Sequence, residues 1–193
     1  GYAAAAYSVC YPNAEVILIS PQATQDPDIA IWDRRHPQAR RLNFRAPYGY
    51  APTMAEAAAR ITVLYDPLLD EDAMHAALFP QKTTRHIRVR HHKSEIERML
   101  IETGLFNAMI ETVVNNATST QPLFELLRER HMYLPYLRSL LVKCDQEKRY
   151  THAKAVCTHT LKHYNAPRFR KYLTVIENME AEQKSAGKDN SVA

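Results

Sequence analysis

The sequence predicts an all-α protein: antiparallel helical hairpins forming a short α-solenoid, led by an extended N-terminal arm. Three observations carry that expectation. Apolar residues recur at i, i+3, i+4 through most of residues 105–179, the stripe of an amphipathic helix. The breaks between these runs are too short for anything but antiparallel neighbours. The chain also holds 4 glycines against 11 prolines, which suits helices and disfavours glycine-rich phosphate loops. A chain of 193 residues has room for one sizeable core plus an arm or tail. The expected division is residues 1–52 as a proline-rich basic arm, 53–184 as the helical-repeat domain and 185–193 as a flexible tail.

The arm comes first. Pro12, Pro21, Pro27, Pro37, Pro47 and Pro52 are spaced so that no long helix forms. Glu15-Val-Ile-Leu-Ile-Ser20 is its one strand-like run and needs a sheet edge or a groove to cover it. Trp32, Phe44, Tyr48 and Tyr50 are large aromatics in a segment with little core of its own, so they pack on the helices or on a partner. Arg34, Arg35, Arg40, Arg41 and Arg45 crowd one stretch around Phe44. Guanidinium groups bind phosphate bidentately and stack on bases, so these five are candidate contacts to an anionic partner, RNA or protein.

A capping box, Thr53-Met-Ala-Glu56, opens the first expected helix, with Ala57, Ala58, Ile61, Leu64 and Tyr65 as its buried side. Asp66-Pro67 reads as cap and first residue of a second helix, to about Phe79. From Thr83 to Lys93 basic residues alternate with Ile87 and Val89, an extended connector. Arg85, Arg88, Arg90 and Lys93 join the candidate anion contacts. His86, His91 and His92 lie here too, but no cysteine or carboxylate stands at ligand spacing, and the arginines repel a cation. A second capping box, Ser94-Glu-Ile-Glu97, opens a helix carrying Ile96, Met99 and Leu100, with Gly104 as its stop.

Five apolar stripes follow. Phe106, Met109, Ile110 and Val113 mark the first, and Leu123, Phe124, Leu126 and Leu127 the second. Tyr136, Leu137, Leu140, Leu141 and Cys144 define the third. The fourth is Tyr150, Ala153, Val156, Cys157, Thr160, Leu161 and Tyr164. The fifth is Phe169, Tyr172, Leu173, Ile176 and Met179. Cys144 and Cys157 fall on apolar faces and read as buried thiols, while Cys10 completes an odd count with no metal spacing.

Lysine plus arginine, 25, exceeds aspartate plus glutamate, 21, for a net charge of +4. That mild excess permits an anionic partner without demanding one. No apolar run reaches the ~18–20 residues of a membrane span. The opening at Gly1 suits either a trimmed start or a mature end left by removal of a targeting peptide. No nucleotide, hydrolase or zinc-protease motif occurs. Asp70, Glu71 and Asp72 read as compensation of a helix dipole, and His152, His159 and His163 as surface residues of one helix. No catalytic residue, metal ligand or cofactor is therefore expected.

The openings Phe106-Asn-Ala-Met-Ile110, Tyr136-Leu-Arg-Ser-Leu140 and Phe169-Arg-Lys-Tyr-Leu173 correspond, roughly 30–33 residues apart, the period of helical-hairpin repeats. With Tyr150-Thr-His-Ala-Lys-Ala-Val-Cys157 they resemble pentatricopeptide-type repeats, with a shorter and irregular spacing. The resemblance covers under half the chain. It implies a non-catalytic accessory subunit of a large mitochondrial assembly on the matrix side, with protein subunits as partners. A mitoribosomal protein that also meets rRNA leads. An accessory subunit of ATP synthase or of a respiratory complex, and a free RNA-binding repeat protein, stay open.

Overall fold

The first unit is built on a parallel β-sheet, which overturns the all-α expectation. The computed structural model describes residues 2–116 and 118–189, without the side chains of Arg40 and of residues 183–189. Three strands, β1 (Glu15–Ile19), β2 (Arg60–Tyr65) and β3 (Thr84–Arg88), lie side by side in that order. Both pairings are parallel, with Val16 opposite Ile61 and Leu64 opposite Ile87. The expected arm is thus no arm: its strand-like run is an edge strand, covered as such a run must be. The chain falls into two compact units, Gly1–Arg130 and His131–Ala193, where a continuous solenoid was expected.

Parallel strands need crossovers, and their strands are buried on both faces. The helices α1 (Tyr2–Ala6), α2 (Ala51–Ala55) and α3 (Asp70–Ala77) supply one cover. Ala5, Ala6, Ala51, Ala55 and Ala76 meet Val16, Leu18, Ile61, Val63 and Phe79 in one core. Small alanines let these short helices lie close to the sheet. Ile61, Leu64 and Tyr65, expected on a helix, all belong to β2, in which every residue after Arg60 is buried.

The other face of the sheet carries Ile17, Ile19, Leu64 and Ile87 and, at its amino-terminal end, a charged ladder. Glu15 accepts from Arg60 at 3.0 Å and from Arg85 at 2.9 Å. Arg85 also donates to Thr62 Oγ1 and to the carbonyl of Asn116, at 2.8 Å. Asn116 ends α5 (Phe106–Asn115), so this guanidinium ties all three strands to a helix C-terminus, where positive charge is favoured. Glu15→Ala leaves two half-buried guanidinium groups without that carboxylate. The expected cost is about 1.5–3 kcal/mol, read from urea denaturation of the purified chain.

After β3 in the chain, still in the first unit, come α4 (Ile96–Glu102), α5 and α6 (Gln121–Leu126). Ile96, Met99, Leu100, Met109, Val113, Leu123 and Leu127 are all buried, as their spacing predicts. Neither expected capping box forms: α2 starts before Thr53, and α4 has Glu95 at its N-cap with no side-chain cap.

The second unit is three antiparallel helices, α7 (Leu134–Gln146), α8 (Tyr150–His163) and α9 (Pro167–Asp189). Leu137, Cys157, Ala166 and Phe169 form one core, and Cys144, Ala153 and Ile176 another. Burial raises the Cys157 thiol to about 11, so it stays a protonated, inert core residue. Of the expected tail, residues up to Asp189 belong to α9, and 190–193 lie outside the described residues.

Candidate functional site

Parallel sheets present ligands at the carboxyl ends of their strands. Here that end is filled by the chain's own side chains. Asp66 follows β2 and is fully buried. Its Oδ1 accepts from the Leu68 N–H at 3.0 Å, and its Oδ2 from the N–H groups of His92, at 2.8 Å, and Lys93, at 2.6 Å. His91 and Lys93 have φ of 69° and 51°, a backbone that turns successive N–H groups into one anion-binding concavity. An internal carboxylate occupies it.

A second buried centre joins the loop after β1 to α3. His75 and Asp33 are both fully buried. His75 Nδ1 accepts the Ala23 N–H at 3.1 Å, which leaves the proton on Nε2, 2.8 Å from Asp33 Oδ2. Arg35 reaches Asp33 through Nε and Nη2, at 3.0 and 2.9 Å, and Asp72 through Nη1 at 2.6 Å. The Trp32 ring packs on His75 with centroids 4.6 Å apart. Asp72 is thus a buried ion-pair partner as well as a first-turn carboxylate.

The electrostatics follow from that geometry. Burial lowers the His75 pKa below its ordinary 6.5, outweighing the pull of Asp33. Burial alone raises Asp33, but the hydrogen bonds from Arg35 and His75 win and hold it far below the usual 3.8. Arg35 is raised by its hydrogen bond to Asp33. An Asp–His pair orients a base in many active sites. Here both ring nitrogens are engaged and neither group meets solvent, so no base faces a substrate. The centre acts as a staple holding residues 23–35 to α3. The loop and helix carry no motif, and the only legible signal was acidic Asp72 and His75 at i, i+3 on one helix face.

The candidate anion contacts do not share one role. Arg35 and Arg85 are structural, committed to Asp33, Asp72 and Glu15. Arg45 is exposed and pairs with Asp28 and, at 3.7 Å, with Asp26. The Arg40 side chain lies outside the described residues. Arg34, Arg41, Arg88, Arg90 and Lys93 are exposed, and among the described residues no carboxylate pairs with them. Arg88 and Arg90 flank buried Val89, whose N–H still bonds the Tyr65 carbonyl at 2.8 Å. Arg88 is the last residue of β3, and Arg90 lies in the turn that follows it.

In the second unit a hollow of about 510 Å³ opens beside the start of α8, with Lys148, Arg149 and His152 on its polar wall and Ile176 and Met179 on its apolar one. Arg149 donates to His152 Nε2 at 3.2 Å, and Lys154 pairs with Glu180 at 2.6 Å. No family model, curated protein or solved structure matches this chain. No helix among the described residues is long and apolar enough to cross a membrane.

Proposed function

We propose that the chain is a non-catalytic subunit of a large mitochondrial ribonucleoprotein, a mitoribosomal protein that meets rRNA phosphates and neighbouring proteins. The observation that carries this reading is the end of the edge strand: Arg88, its last residue, and Arg90, in the turn after it, are exposed with no carboxylate partner among the described residues, while buried Ile87 and Val89 alternate with them. Lys93 follows on a turn fixed by Asp66. A rigid row of unneutralised cations recognises a polyanion by charge and spacing, without reading its sequence. The inward-facing polar groups support the same reading, since their hydrogen bonds are spent within the fold. The helical-hairpin wording of α7 to α9 supports the mitochondrial placement.

Exposed apolar residues on α7 and α9, Val142 at 56%, Val175 at 47% and Met179 at 36%, favour a second reading, an accessory subunit of ATP synthase or a respiratory complex that binds protein only. Salt separates the two. RNA affinity falls with a log–log slope of about −0.7 per neutralised phosphate on single strands. Replacing Arg88, Arg90 and Lys93 together by alanine flattens that slope by roughly 2, measured by filter binding across a potassium chloride series. An unchanged slope would remove RNA from the account of these three residues.

A further inference from the structure

Tyr7 and Tyr48 are exposed, at 63% and 49%, and serve none of the structural roles described above. Their rings lie 6.2 Å apart and 23° from parallel, a stacked pair on the surface of the first unit. Tyr48 has φ of 72°, a left-handed conformation that a bulky side chain adopts only where its surroundings impose it. Those surroundings are on both sides of it. The Tyr2 hydroxyl donates to the Tyr48 carbonyl, and the Tyr2 ring packs edge-on against Phe44. Next in the chain, Gly49 lies against the Phe44 carbonyl, and Thr24 Oγ1 donates to the Gly49 carbonyl at 2.7 Å.

The neighbourhood suits a base carried on a charged backbone. Tyr7 and Tyr11, the latter 74% exposed, border a hollow of about 340 Å³ floored by Val16 and Ile17. Glu15 at its rim is committed to Arg60 and Arg85, so it offers an incoming phosphate little repulsion. Arg41, exposed and unpaired among the described residues, lies on the segment that leads to Tyr48. We propose that the Tyr7–Tyr48 pair is a stacking platform for an unpaired base of single-stranded RNA. Aromatic platforms of this kind accept any base, because every base has a π-face. The proposal rests on the RNA-binding reading above and names where an unpaired nucleotide docks. A proline-rich peptide also docks on exposed aromatics, but the chain's net charge of +4 favours a polyanion.

The test is a titration of the full chain with a labelled single-stranded RNA of about a dozen nucleotides, beside a proline-rich peptide. Tyr7→Ala and Tyr48→Gly each weaken RNA binding on the order of tenfold with the salt slope unchanged, and Tyr7→Phe binds like the native chain. Tyr48→Gly also holds or raises Tm, since glycine accepts positive φ without strain; a ring with a purely structural role would lower it. RNA affinity within about twofold of native in both ring-deleted variants overturns the platform. So does loss of peptide binding with RNA binding intact. If the native chain fails to bind RNA even at low salt, the RNA-binding function falls as well. If it binds and only the tyrosines prove indifferent, the platform alone falls.

Discussion

Asp33→Ala is expected to destabilise the first unit by about 3–5 kcal/mol, the cost of removing one partner from a buried ion pair. The substitution strips Arg35 of its three bonds to Asp33, one from the backbone N–H and two from the guanidinium, and leaves the His75 Nε2 proton facing a void. Asp72 is the guanidinium's remaining carboxylate, and its Oδ2 already lacks a hydrogen-bond partner among the described residues. The same centre sets the response to acid. His75 and Asp33 are both depressed in the native state, so the unfolded chain binds more protons. Native stability is full above pH 6.5, falls as His75 takes up a proton on unfolding, and falls again below 3.8 as Asp33 does. Each proton contributes at most about 1.4 kcal/mol per pH unit. Urea midpoints between pH 8 and pH 3 therefore decline in two steps in the native chain. Asp33→Ala shrinks the lower step, and a native profile flat across this range would contradict the staple.

Gly49→Ala is expected to be as damaging, by overpacking. A methyl group there would sit 1.7 Å from the Phe44 carbonyl oxygen and 2.9 Å from that of Ala46. Both obstacles are backbone, so no rotamer change relieves them, and the turn must open. Overpacking costs about 1–3 kcal/mol where side chains can shift, and a backbone obstacle places this variant at about 3 kcal/mol or more. Opening the turn also strains the Thr24 bond to the Gly49 carbonyl and displaces Tyr48. Loss of thermal stability together with loss of the stacked tyrosine pair, seen as altered tyrosine fluorescence, is the expected result. A variant with native Tm would show that the turn is not packed as described.

Much of the C-terminal half was legible because helices of 13 and 14 residues with one apolar stripe have few alternatives. The sheet was not, for a physical reason. Central parallel strands are buried on both faces and read as continuous apolar runs instead of alternating ones. In β2 the run Ile61-Thr-Val-Leu-Tyr65 follows an alanine-rich segment, so Ile61, Leu64 and Tyr65 imitate a helical stripe. The β-branched residues Ile61, Thr62 and Val63 were the contrary signal. β1 was legible as a strand, but its partner was missed, so it was assigned to an arm. The basic residues were found by type, yet their roles depended on carboxylates far away in sequence. Arg35 meets Asp72 and Arg85 meets Glu15, pairings that no local pattern encodes. The His75–Asp33 pairing, 42 residues apart in sequence, was hidden for the same reason.

The central claim is that this chain is held in a ribonucleoprotein through its exposed cations. The most direct measurement is native sedimentation of the tagged full-length chain from mitochondrial extract, with and without RNase. The account predicts migration with a ribosomal particle that RNase disperses. It also predicts a shift toward the free fractions when Arg88, Arg90 and Lys93 are replaced by alanine. Migration with a membrane complex indifferent to RNase, or as a small free species, would contradict it.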